Sequence, residues 1–315
     1  MSSLRLATGV LVFATMTLPA QVAADPPPGY YATVDETSSA ALRASLHEVI
    51  DDHTRLDYTG SYPDTWDVLE AADEDPVDSG SILDVYKNLT LTKAGGGNSY
   101  YNREHTWPKT YGFPDDNYDV YPYTDCHHLM LSDINYNADR GSRPFATCDE
   151  LCSERTTLFN HGIGGGSGVY PGNSNWFTGA DGPTGTWETW IARRGDMARA
   201  QLYMDVRYEG GTHGGTGYAE PDLILTDNRA LIQSTSSSPA YMGLLSVLLE
   251  WHAEDQVDDR ERRRNDVVES FQGNRNPFID HPEWVECVFL GTGCTLFSDG
   301  FESGDFSGWS DHIDQ

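Results

Sequence analysis

The chain has 315 residues, 38% of them hydrophobic and 22% charged, which at ~100–200 residues per domain suits one large domain or two small ones with enough chain to bury a core. Lysine and arginine number 20 against 49 aspartates and glutamates, a formal charge of −29. So acidic a surface repels nucleic acid at long range and excludes an ordinary basic DNA-binding domain, while leaving room for an enzyme with a local basic cleft or a bound metal.

The N-terminus pairs Arg5 with an apolar run from Leu6 to Leu18, too short to cross a bilayer, and then Val22-Ala23-Ala24 before Asp25 and a run of prolines. That pattern predicts a secretory signal peptide over 1–24, with a short membrane anchor as the lesser alternative. The mature protein is expected to be secreted or periplasmic, free of the membrane and monomeric. Export permits disulfides. Of the five cysteines, Cys148 with Cys152 and Cys287 with Cys294 are close enough to pair, and Cys126 is left over or competes for Cys148. The absence of a CxxC pair argues against a cysteine-based zinc site.

Residues 38–53 carry apolar positions at helical spacing behind a serine pair, and 64–76 read as a second helix closed by Pro76. Residues 82–93, "ILDVYKNLTLTK", resemble a strand followed by a glycine-rich turn. The aromatic, acidic stretch 114–124 reads as a loop. Residues 157–185 are glycine-rich and aperiodic, a long surface insertion around at most a short hairpin; their glycine run lacks the Lys-Ser/Thr of a phosphate loop. Helices are expected over 190–210, 239–255 and 258–273, then a structured loop and short helix to 291. From there to 315 the sequence turns acidic, glycine-rich and aromatic without any period, which predicts a flexible tail or a sorting element. The domain plan is thus 1–24, 25–290 and 291–315.

The chemistry gathers in two segments. "YNREHTWPKTYGF", 101–113, sets Glu104 beside His105, and "YTDCHHLMLSDINYNADRGSRPF", 123–145, adds Asp125, His127 and His128. The second segment reads as a strand over 127–131 and then a helix, with Ser132 as N-cap and Gly141 at its end. Asn135 and Asn137 stand two apart, so at most one faces back to the strands. A carboxylate and an imidazole on one strand with an amide on the following helix suit a hard cation such as Mg²⁺, which takes oxygen ligands and keeps waters, and a neutral histidine that deprotonates water beside phosphorus. That combination points to phosphodiester hydrolysis.

These two segments, with "RRGDMARAQLYMDVRYEG" at 193–210 and "LLEWHAEDQVDDRERRRNDVVESFQGNRNPFIDHPE" at 248–283, resemble the endonuclease I family of secreted and periplasmic bacterial nucleases. That family belongs to the His-Me finger, or ββα-metal, superfamily. The resemblance runs over roughly residues 30 to 285. It implies an α+β fold, a ββα-metal core embedded in a mainly helical scaffold. It implies His105 as general base, and Glu104 and Asn137 as ligands of a divalent metal, Mg²⁺ before Ca²⁺ or Mn²⁺. Asp125, His127 and Arg140 would be supporting groups, and Arg103, Arg194 and Arg199 possible phosphate contacts. Cys126 and Met130-Leu131 depart from the residues usual in the family beside the site. Strict strand alternation separates Glu104 from His105, so the resemblance also implies a strand end where twist or a bulge lets both border one phosphate.

The function expected is a sequence-nonspecific nuclease acting on DNA, with RNA as a second candidate substrate. The competing reading is a noncatalytic, calcium-binding exported or cell-surface protein, supported by the acid count. A zinc protease is disfavoured because no HExxH occurs. Arg193-Arg194 and Arg262-Arg263-Arg264 either contact phosphate or pair with local carboxylates. The 274–281 segment is expected to be a buried, hydrogen-bonded prop for the strands and helix. Trp107 and Trp251 are expected in the core or the cleft wall.

Overall fold

A computed structural model of the chain describes residues 26–294. The expected signal peptide over 1–24 lies outside the described residues, as does the expected tail beyond Cys294. Both short cysteine pairs form, Cys148 with Cys152 and Cys287 with Cys294, and Cys126 is the buried free thiol.

Helix α1 spans Ser39–Ile50, started by the Ser38 side chain accepting from the Ala41 amide. Helix α2, Thr65–Ala72, opens with a capping box between Asp64 and Asp67. It ends before Pro76, because the chain leaves at Asp73 to form β1 (Glu74–Asp75). The run 82–93, expected as one strand, is two: β2 (Asp78–Leu83) and β3 (Thr90–Thr92), joined antiparallel with β1 in a three-stranded sheet. Strands β4 (Tyr101–His105) and β5 (Leu129–Asp133) pair antiparallel, and α3 (Ile134–Arg140) follows without a break. The cap of α3 is Asp133, not Ser132, its carboxylate accepting from the Asn135 and Tyr136 amides.

Within the glycine-rich stretch 157–185 lies one named strand, and it pairs with strands that flank the stretch on either side. Strands β6 (Ser153–Thr156), β7 (Ser174–Thr178) and β8 (Thr186–Glu188) form an antiparallel sheet. Helix α4 (Arg194–Arg207) is buried at every position after Arg194, so it is the central helix of the molecule. Strands β9 (Leu223–Leu225) and β10 (Ala240–Met242) pair in parallel. Helix α5 therefore starts at Leu245, later than expected, and runs to Glu254 along α4. Helix α6 (Asp259–Gln272) carries a capping box of Asp258 and Glu261 and ends at Gly273, which takes the left-handed φ of 83° that favours glycine. Helix α7 (Pro277–Asp280) follows, and a single π-helical turn over Glu286–Leu290 closes the described order. The α+β expectation holds. No described helix is long and apolar enough to cross a membrane.

Two apolar clusters fill the interior. The larger gathers around α4 and α5 with Trp107 and Trp251; the smaller joins α2, Val268 of α6 and the inner strand β5. Strand β5 is buried along its whole length and divides between them: Leu129 and Leu131 join the smaller cluster and Met130 the larger. That alternation fixes the register of β4 and so the two directions in which its side chains leave.

Candidate active site

Pairing of β4 with β5 runs unbroken from Tyr101 opposite Asp133 to His105 opposite Leu129. No bulge interrupts it, so the expected distortion is absent and alternation holds. Asn102 and Glu104 leave on one face, Arg103 and His105 on the other. The two candidate groups accordingly have separate partners.

On the first face, Glu104 is 2% exposed. Its Oε1 accepts from the Tyr86 hydroxyl at 2.9 Å and lies 3.2 Å from Nη1 of Arg140. Burial pushes its carboxyl up to about 7, against the opposing pull of Arg140 and Tyr86. Asn137, on the first two turns of α3, donates from Nδ2 to Oδ1 of Asn102 at 2.7 Å. Asn102 thus occupies the amide nitrogen and leaves the amide oxygen as the free donor atom of Asn137. Asn135 is exposed. A carboxylate whose second oxygen has no hydrogen bond among the described residues, and an amide oxygen oriented through Asn102 on the same strand face, are the donor types of a hard cation that takes oxygen ligands and keeps waters. Among the described residues no group of three or more His, Cys, Asp or Glu is placed to hold a metal. A site of one carboxylate, one amide and solvent does not call for one.

Arg140 is fully buried and spends its guanidinium on the backbone: Nη1 donates to the His105 carbonyl at 3.0 Å and Nη2 to the Thr106 carbonyl. It braces the end of β4 from beneath Glu104.

On the second face, His105 is 9% exposed and its Nε2 lies 3.0 Å from the Tyr123 carbonyl. A carbonyl accepts only, so Nε2 carries the proton and Nδ1 keeps its lone pair. Burial holds the imidazole well below its ordinary value, reinforced by His128, Lys109 and Arg103. The ring is neutral at neutral pH, the state a base needs. His128 lies 5.5 Å from it, ring to ring, and is fixed through Nε2 to the Pro122 carbonyl at 2.7 Å. Tyr58 lies 5.7 Å from the His105 ring. Arg103 lies 3.3 Å over the Tyr58 ring and donates to the Tyr58 carbonyl, Thr65 Oγ1 and Thr59 Oγ1, tying the 57–63 loop onto this face.

The remaining candidates lie in the scaffold. Asp125 is fully buried and accepts from the hydroxyls of Tyr203 and Tyr208, the His127 amide and Gln272. Burial alone would raise its carboxyl, but His53, His127, His128 and the His127 amide together hold it well below the usual range. His127 turns to the Asn274 carbonyl and the Tyr203 ring, away from His105. Arg194 bridges Glu188 and Glu254, and Arg199, fully buried, holds Glu261 and the Asp255 carbonyl. Among the described residues neither donates to β4. Arg193, Arg263 and Arg264 likewise pair with carboxylates, Asp258, Glu74 and Asp73. The 274–281 segment is the expected prop: Asn274 donates to the Ile50 carbonyl and Tyr203, and Arg275 holds Asp266, Glu269 and Asp280.

Sequence reasoning passed over Asn102 and the Tyr123 carbonyl. The first had a signal, since it stands two before Glu104 on a strand and so shares its face. The second had none, because a backbone acceptor carries no side-chain signature.

Residues 38–283 match the family model described as Endonuclease I. An extracellular ribonuclease of Bacillus amyloliquefaciens is 37% identical over 265 residues, covering 82% of this chain and 78% of that protein. An extracellular ribonuclease of Bacillus subtilis is 36% identical over 263 residues, with the same coverage.

Proposed function

The chain belongs to the endonuclease I family, and on that premise we propose that it is a secreted, metal-dependent, sequence-nonspecific endonuclease, built on a His-Me finger of β4, β5 and α3, that acts as a monomer. As a member it is a hydrolase of phosphodiester bonds. The names of its relatives bring RNA forward as a substrate beside DNA. Family membership argues against the noncatalytic, calcium-binding alternative.

The observation that carries the mechanism is the tautomer of His105. Nε2–H donates to the Tyr123 carbonyl, so Nδ1 takes the proton of the attacking water, and the rigid carbonyl stabilises the imidazolium that forms. Glu104 and Asn137 would hold a divalent cation, Mg²⁺ before Ca²⁺ or Mn²⁺, which when bound stabilises the charge on the phosphoryl oxygens and the leaving oxygen. Among the described residues the only strand paired with β4 is β5. A phosphate lying at the open edge near its end is approached from both faces at once, by His105 from one and by Glu104 and Asn137 from the other. The adjacency of the two residues is then the means of putting base and cation on different sides of one phosphorus. Contacts to phosphate carry no sequence information, which accounts for nonspecific cleavage.

Incubation of the purified protein with plasmid DNA and with RNA, in Mg²⁺ or chelator, tests the reading. His105→Ala is expected to lower cleavage by about 10²–10⁴-fold with the fold intact. Turnover equal to the parent protein would remove His105 from the mechanism.

A further inference from the structure

The protein is acidic, yet its substrate is a polyanion, so the positive charge left free for phosphate is informative. Most described lysines and arginines are in ion-pair contact with a carboxylate. Among the described residues Arg103, Lys109, Arg143 and Arg229 are not. Arg143 donates to the carbonyls of Asp139 in α3 and of Gly179, and Arg229 to the Gly185 carbonyl and the Thr186 hydroxyl. Arg103 is committed to the 57–63 loop and lies between the rings of Tyr58 and Trp66.

Lys109 differs from all three. Its ammonium makes one hydrogen bond, to the Tyr123 hydroxyl at 2.8 Å, and lies 4.9 Å from that ring. An ammonium has three donors, so two remain. Tyr123 is the same residue whose carbonyl fixes His105. One tyrosine therefore holds the base by its backbone and the ammonium by its hydroxyl. The backbone under Lys109 is also fixed: its carbonyl accepts from the Phe113 amide, and the buried Trp107 indole donates to the Tyr111 carbonyl. The side chain is half-buried, which leaves the charge less screened than on an open surface.

We propose that Lys109 is the phosphate-binding cation of the His105 face, placed to contact a nonbridging oxygen of the scissile or adjoining phosphate. This inference rests on the nuclease reading. It assigns to a lysine after β4 the contact expected of Arg194 and Arg199, whose guanidinium groups are engaged by Glu188, Glu254 and Glu261.

The test uses the full-length secreted protein, with a labelled single-stranded oligonucleotide and plasmid DNA as probes. Lys109→Met is expected to lower kcat/KM about a hundredfold, the scale of losing one preorganised charge at developing negative charge. It should also make the fall of log(kcat/KM) with log salt shallower by about one, as the loss of one phosphate contact requires. Oligonucleotide binding in chelator should weaken and lose the same increment of slope. Lys109→Arg restores both slopes, and Arg229→Met leaves rate and slope unchanged. If Lys109→Met does not fold, Lys109→Gln, which keeps a donor toward Tyr123, carries the same expectation. A lost rate with an unchanged salt slope makes Lys109 a brace for Tyr123 and overturns the inference, as does an unchanged rate; both leave the nuclease reading standing. A parent protein that cleaves neither probe in Mg²⁺ overturns the reading and the inference together.

Discussion

Asn102 and Arg140 illustrate two ways in which one side chain serves another. The side-chain hydrogen bond of Asn102 among the described residues is to the amide nitrogen of Asn137, so its effect on the site passes through the orientation of that amide. Asn102→Ala is expected to raise the Mg²⁺ concentration needed for half-maximal cleavage about tenfold, the usual scale for a partner of a metal ligand, with little change in unfolding midpoint. A Mg²⁺ titration of plasmid nicking reads it directly, and an unchanged requirement would separate Asn102 from cation binding. Arg140 is the opposite case. It is buried, paired with Glu104 and bonded to two carbonyls of the β4 exit. Arg140→Met leaves a buried carboxylate without its partner, and such losses cost about 3–5 kcal/mol. Urea unfolding of this variant should show that loss whether or not nucleic acid is present. A phosphate contact would instead lose activity at constant stability.

At the scale of elements, the helices follow from signals that are local. Ser38, Asp64 and Asp258 each cap the helix they precede, and Gly273 ends α6. Removing the cap of α6 by Asp258→Ala is expected to cost about 1 kcal/mol in thermal or urea unfolding, more if the Arg193 contact also matters. No measurable loss would show that α6 is held by tertiary packing alone. The strands were less legible, for a physical reason. Strands β1, β3, β8, β9 and β10 are two or three residues long, and runs that short are defined by their partners rather than by their own periodicity. Strand β10 lay hidden in the apolar run 239–255 because buried strand and buried helix look alike over a few residues. The β4–β5–α3 unit was readable in outline, since its polar residues are few and grouped. What the sequence could not disclose was that its pairing stays regular. The bulge expected at Glu104-His105 is replaced by ordinary alternation along an unbroken two-stranded pairing.

For the molecule as a whole, burial of histidine sets the response to acid. His127, His128 and His252 are each held down to about 4, and His53 to about 3, with burial the first cause in every case. Their ordinary value is 6.5, so between about 6.5 and 4 the unfolded chain binds protons that the folded protein does not, and stability falls as pH falls through that window. Asp125 adds to the same trend lower down, because its depressed carboxyl favours the folded state above its unfolded value and loses that advantage as acid protonates it. Thermal melts between pH 8 and 4 should show a midpoint that begins to drop below about 6.5; a flat profile would mean that these rings find water in the folded state. The acidic surface, with few free cations, also predicts cleavage that persists from low to moderate salt. A steep collapse over that range would point to many more phosphate contacts than the structure offers.

Cys126 bears on how long such a protein lasts outside the cell. It is sealed in the smaller core of a protein that also carries two closed disulfides, and burial raises its thiol far from the reactive thiolate. Inside the fold it is inert. Once the chain opens, the same sulfur is free to attack either cross-link, and exchange then proceeds at the ordinary rate for an accessible thiol. Working life is accordingly set by how rarely the molecule opens, not by the balance it would reach if opening were reversible. Each excursion is a chance to be retired for good.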